Sequence, residues 1–170
     1  MNKEITTIRS WLRFFIFSLF ISGVTAIPVE KELTYIVAHF PFDGSIKGWL
    51  EQVLIGIKNT SENYPFLFYG YDWLAFAHFV LAILFIGPLR DPVKNKWVIE
   101  FGIIACILII PFALVAGHFR GMPLWWRLVD CSFGIFGLIP LIICLKNIKK
   151  LENEAKAFSD KKEAFDPLIA

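Results

Sequence analysis

Metal-site and nucleotide-site signatures are missing from this chain. Its 170 residues hold three histidines and three cysteines, with no HExxH, no CxxC and no Cys/His spacing of a zinc site. A protein-built metal centre and a disulfide framework therefore have no support. No glycine-rich phosphate loop, no nucleophile elbow and no carboxylate cluster of the di-metal kind is present. Charge is scarce as well. Asp, Glu, Lys and Arg make up 19% of the residues, for a net charge of +2. No basic patch points to nucleic acid. Cys106, Cys131 and Cys144 all sit inside apolar runs, where a free cysteine behaves as a small hydrophobe.

What is abundant is apolar sequence. Hydrophobic residues are 56% of the chain and the mean hydropathy is +0.60, too apolar for an ordinary water-soluble domain. Four runs approach the roughly 20 residues that cross a hydrocarbon core. They cover 11–27, 71–89, 97–117 and 124–145. The expected fold is therefore all-α, a four-helix transmembrane bundle forming one domain over 1–145 and followed by a charged tail over 146–170. The first run is short, and its basic lead-in with Val24-Thr25-Ala26 also fits a cleavable signal peptide.

The 28–70 excursion carries a pattern of its own. Ile46, Trp49, Leu50, Val53, Leu54 and Ile57 fall on one helical face, with Lys47, Glu51 and Lys58 outside it. This spacing predicts an extra amphipathic helix, N-capped by Ser45, that lies at the membrane surface or caps the bundle. In the tail, Ile148, Leu151, Ala155 and Phe158 form a weaker helical stripe.

Orientation follows from the loop charges. The N-terminus, the 90–96 turn and the tail hold twelve of the seventeen Lys and Arg. The positive-inside rule puts that side, with both termini, in the cytoplasm of a plasma (bacterial inner) membrane. All six tryptophans lie at expected span boundaries, as an aromatic belt requires.

Polar residues gather toward the opposite, outer half. By helical rise His78 and Asp130 each lie about 10 Å below the outer surface. Asp72, His118, Arg120, Arg127 and Trp126 stand nearer that surface, and Pro111 frees the carbonyl of Ile107 at a similar depth. Arg127, one turn from Asp130, is expected to hold its carboxylate ionised. These seven residues are the candidate ligand-binding set. No residue is assigned as catalytic, but His78 with Asp130 fixing its tautomer is the candidate acid/base pair. The competing reading is a satisfied interhelical polar network. Haem ligation by His78 and His118 is disfavoured by their depth mismatch of roughly 10 Å, so no cofactor and no metal is expected. Gly102, Cys106, Ala113, Ala116 and Gly117 on the third run, and Asp130, Gly134 and Gly137 on the fourth, mark the faces where helices approach closely.

The runs SGVTAIP, YPFLFYGYDWLAFAHFVLAI, GPLRDPVKNKWVIEFG and GMPLWWRLVDCSFGIFG resemble those of a group of uncharacterised bacterial four-span membrane proteins of similar length. The resemblance covers most of Ile21 to Leu145. It implies architecture and carries no catalytic residues. The expected function is non-catalytic: binding a small lipophilic or amphipathic molecule, or serving as a subunit of a membrane assembly or homo-oligomer. The alternative is an intramembrane enzyme using His78 and Asp130 on a lipid-soluble substrate.

Overall fold

Ile5, Ile8, Leu12 and Phe15 recur at intervals of three and four residues. That spacing makes the polar N-terminus part of a helix rather than a lead-in to one. In the computed structural model the described residues run from Lys3 to Phe165, with side chains described through residue 161. The end of the 146–170 tail, 166–170, lies outside them, as does the side chain of Lys162. Among the described residues the fold is all-helical with no strand, and four helices are long and apolar enough to cross a membrane.

The helices are α1 (Lys3–Ala26), α2 (Val29–His39), α3 (Gly44–Asn63), α4 (Tyr69–Leu84), α5 (Ile86–Arg90), α6 (Lys96–Phe119) and α7 (Leu124–Phe165), with a single 3-10 turn at Pro65–Phe68. Besides the early start of α1 and the continuation of α7 past 145, three features within 28–90 differ from the sequence expectation. The run 71–89 is broken at Phe85, because Pro88 has no N–H for the carbonyl of Leu84 and its ring crowds that carbonyl. In the 28–70 excursion two helices form, not one: α2 starts after Pro28, with Glu30 and Glu32 in its first turn, charges that favour a helix N-terminus. Finally, Asp43 and not Ser45 holds the N-cap position of α3, and its side chain makes no capping bond. The chain enters through Gly44 at φ +61°, a left-handed conformation that glycine adopts without penalty.

By their contacts the residues fall into two compact units, Met1–Ile16 with Ile83–Ala170, and Phe17–Ala82. The first is built on the pairing of α6 with α7, the most extensive helix contact in the chain. Small residues set its register. A Cβ at Gly134 would stand 2.5 Å from the carbonyl oxygen of Cys106, one at Gly137 2.8 Å from Cys106 Sγ, and one at Gly102 2.9 Å from Leu141 Cδ1. Further along, Cys131 Sγ donates to the carbonyl of Ile110 at 3.7 Å. Residue numbers rise on α6 as they fall on α7, so the pair is antiparallel, and Pro111 is carried inside α6 without ending it.

α7 runs unbroken for 42 residues through Pro140, about 63 Å at helical rise. Its stripe continues through Leu141, Cys144 and Ile148, all fully buried. α1 lies along this part of α7: Ile8 and Leu12 are fully buried, and Cys144 Sγ donates to the Ile8 carbonyl at 3.7 Å. Two ion pairs bind the polar ends, Lys150 to Glu4 and Lys96 to Glu152 at 2.7 Å. Ala155 and Phe158 continue the stripe but are exposed.

In the second unit Gly23 lies beneath Phe79, whose Cε1 would be 2.6 Å from an added Cβ. α2 packs on α3, with Leu33 and Leu50 buried. Along α3 the stripe Trp49, Leu50, Val53, Leu54 and Ile57 is the less exposed side, while Lys47, Glu51 and Lys58 are exposed. Ile46 departs from its stripe and is 40% exposed.

Gly134→Ala should lower the midpoint of thermal unfolding. A backbone oxygen must move to admit the methyl, and overpacking costs about 1–3 kcal/mol, which outweighs the helix-propensity gain of about 1 kcal/mol. At Gly48 an added Cβ meets nothing within 4 Å, so Gly48→Ala should raise the midpoint. Opposite signs in the two variants are the expected result.

Candidate functional site

The polar residues of the first unit gather where α6 ends and α7 begins. Gly121, at φ +68°, closes α6: its N–H donates to the His118 carbonyl at 3.1 Å, and that of Met122 to the Gly117 carbonyl at 2.8 Å. This pair of bonds is a Schellman motif, which turns the chain back after the helix and needs the glycine. Pro123 then starts the next turn, its carbonyl accepting from the N–H groups of Trp126 and Arg127. α7 thereby returns beside α6 with Arg127 facing it.

Arg127 reaches across that seam. Its methylenes cover Gly117, where an added Cβ would stand 2.6 Å from Cγ and Cδ. Its Nη1 donates to the carbonyl of Leu114 at 3.2 Å. A cation near the last turns of a helix meets the negative end of the helix dipole. Its Nε is buried without a hydrogen-bond partner.

Asp130 is half-buried one turn further along, beside Cys131 and Gly134, which are buried. The expected Arg127–Asp130 pairing is absent: among the described residues no ion pair joins them, and the guanidinium is engaged by α6. The reason is geometric. Gly117 opens a path for the arginine stem toward the neighbouring helix, so its reach is spent across the seam and not along its own helix.

His118 and Arg120 stand at the same end of α6 and are exposed. The ring of His118 lies edge-on to Phe119 at 5.9 Å. Trp126 is half-buried and meets Trp125 in a T-shaped contact at 5.4 Å.

In the second unit, His78 sits half-buried on α4, with Nδ1 2.8 Å from the carbonyl of Leu74. A carbonyl only accepts, so this contact places the proton on Nδ1 and leaves Nε2 as an acceptor in the neutral ring. The tautomer is thus fixed within α4, a task the sequence assigns to Asp130. Asp72 lies in the first turn of α4 and lines an apolar recess of about 240 Å3 with Tyr69, Trp73 and Phe76.

A second recess of about 270 Å3 lies between α3, the 3-10 turn and the start of α4, lined by Val53, Gly56, Ile57, Thr60, Leu67, Phe68 and Tyr71. None of these residues is in the candidate set read from the sequence. The signal for it was Gly56, a glycine on the side of α3 where Val53, Ile57 and Thr60 recur at helical spacing. Among the described residues no group of three His, Cys, Asp or Glu is placed to hold a metal ion.

Compared with protein-family models, with curated proteins and with solved structures, the chain matches none.

Arg127→Met should destabilise the protein by about 1 kcal/mol, since a hydrogen bond to a charged group contributes about 1.5–3 kcal/mol and the unpaired Nε offsets part of it. Asp130→Asn should leave the unfolding midpoint nearly unchanged. Because the two side chains do not pair, the double variant should be additive in a thermal-unfolding cycle. A coupling energy above about 0.5 kcal/mol would restore the pair.

Proposed function

We propose that this chain is a non-catalytic, multi-pass membrane protein that binds a small lipophilic molecule. The observation that carries the reading is the inverted distribution of apolar surface. The outward faces of α6 and α7 bear Phe112 at 73% exposure and Phe133 at 67%, with Ile107, Leu108, Val115 and Phe136 beside them. The seam between the same helices is built from glycine, cysteine and backbone. In water such outward faces would be a large aggregating patch. In a bilayer, where lipid is as apolar as leucine, small residues at the contact and bulky ones outside are the favourable arrangement.

The four apolar helices span the membrane in this reading, as one bundle, with α2 and α3 forming the outer excursion. Both termini and the 90–96 turn are cytoplasmic, as the loop charges favour. The two recesses of the second unit, both largely apolar in lining, are where a lipophile is held. Arg127 on Leu114, Asp130 and the exposed His118 and Arg120 form the polar layer of the outer half, at the headgroup boundary.

The test is to extract the protein with mild detergent after an alkaline wash and examine it by native mass spectrometry. The protein is expected to stay in the washed membrane pellet and to carry a bound non-lipid small molecule in part of the population. Release by the wash would contradict the membrane assignment, and a protein that carries only lipid or nothing would contradict the binding role.

A further inference from the structure

The recess between α3 and α4 has features that specify more than an apolar hollow. Its volume of about 270 Å3 is somewhat under twice that of the ~150 Å3 cavity that accepts a single benzene ring. Gly56 is an exposed lining residue, and a Cβ there would meet nothing within 4 Å. One wall is aromatic, with the rings of Phe68 and Tyr71 stacked at 5.4 Å and 23°. Val53 and Ile57 add aliphatic surface, and no charged residue lines the space.

Two hydroxyl-bearing residues line this recess, Thr60 and Tyr71. Helical threonines commonly donate back to their own helix. Thr7, Thr25 and Thr34 do so, to the carbonyls of Lys3, Ser22 and Glu30. Thr60 makes no such bond among the described residues, and the Tyr71 hydroxyl has no hydrogen-bond partner there either. Both donors remain available to a guest.

We propose that this recess binds an uncharged, planar compound of about two fused rings bearing hydrogen-bond-accepting oxygens, the chemistry of a quinone head group. The stacked wall suits a flat ring, and Gly56 puts no side chain in its way. The absence of cationic lining disfavours a carboxylate or phosphate, whose charge would go unpaired on desolvation. The two hydroxyls give acceptor oxygens a place that a plain hydrocarbon cannot use. This inference rests on the reading of the chain as a binder of lipophiles, and it adds the site and the class of guest.

The experiment titrates the full chain in detergent micelles with 2-methyl-1,4-naphthoquinone by isothermal calorimetry, with naphthalene and a long-chain alcohol as comparison probes. One saturable site per chain is expected, with naphthalene weaker by about tenfold for the two lost hydrogen bonds. Gly56→Leu adds a bulky side chain to the lining and should abolish saturable binding while the unfolding midpoint of the free protein is kept. Thr60→Val and Tyr71→Phe, which keep shape and remove one donor each, should each weaken binding about three- to tenfold. Saturable binding that survives Gly56→Leu would place the guest elsewhere and overturn the site, while leaving the binding role intact. Equal or tighter binding of the long-chain alcohol would make the recess an acyl-chain groove and overturn the guest class. No saturable binding of the quinone overturns the proposal, and a co-purifying molecule of another class would then show that the broader role survives it.

Discussion

Two helix backbones touch where Gly134 meets the carbonyl of Cys106, and the first unit depends on that contact. A Cβ on α7 at this point would stand 2.5 Å from the α6 oxygen, so no other residue type leaves the helices at this distance. Close approach multiplies the short-range attractions along the seam, each small and together large. It also sets the register. With Gly134 at Cys106, Cys131 falls opposite the Ile110 carbonyl and Arg127 opposite that of Leu114. Gly102 then comes against Leu141 and Phe85.

The chemistry of the unit's polar end follows from this register. Arg127 is drawn across to α6 because Gly117 leaves room for its stem, and Asp130 is left with no guanidinium among the described residues. Asp130 has no ion-pair partner among the described residues, and the tautomer of His78 is set by its own helix. Thr60 and Tyr71, by contrast, line an uncharged hollow with hydroxyls that make no hydrogen bond among the described residues. The contrast is one of satisfaction: Arg127 Nη1 and His78 Nδ1 have found carbonyls, whereas among the described residues the hydroxyls of Thr60 and Tyr71 have not.

Much of the helical architecture could be seen in the order of residues. The four long helices follow from hydrophobic runs, the stripe of α3 from helical spacing, and the seam from the glycines of α6 and α7, because each depends on nearby residues alone. Pro88 as a break was also legible, since a missing N–H acts locally. α2 is hard to read from the sequence although Glu30 and Glu32 mark its start, because charged residues interrupt its apolar content. The early start of α1 was missed for the same reason: Ile5 and Ile8 are a stripe within a polar stretch. What no local rule supplies is the partner of a long flexible side chain. Arg127 could pair along its helix or across it, and only the room above Gly117 decides. The recess on α3 also needs tertiary placement, since Thr60 and Tyr71 come together only when the 3-10 turn folds α4 back.

The most direct measurement on the seam is an oxidative cross-link. An added Cβ at Gly137 would stand 2.8 Å from Cys106 Sγ, and the two Cβ atoms of a disulfide are about 3.5–4.5 Å apart with a sulfur–sulfur bond of about 2 Å. Gly137→Cys should therefore join Cys106 within one chain on mild oxidation. Counting free thiols after denaturation should then find two, those of Cys131 and Cys144, the remaining cysteines of the sequence. If all four thiols stay free under oxidation that cross-links an exposed control pair, α6 and α7 do not meet in this register and the account of the seam is wrong.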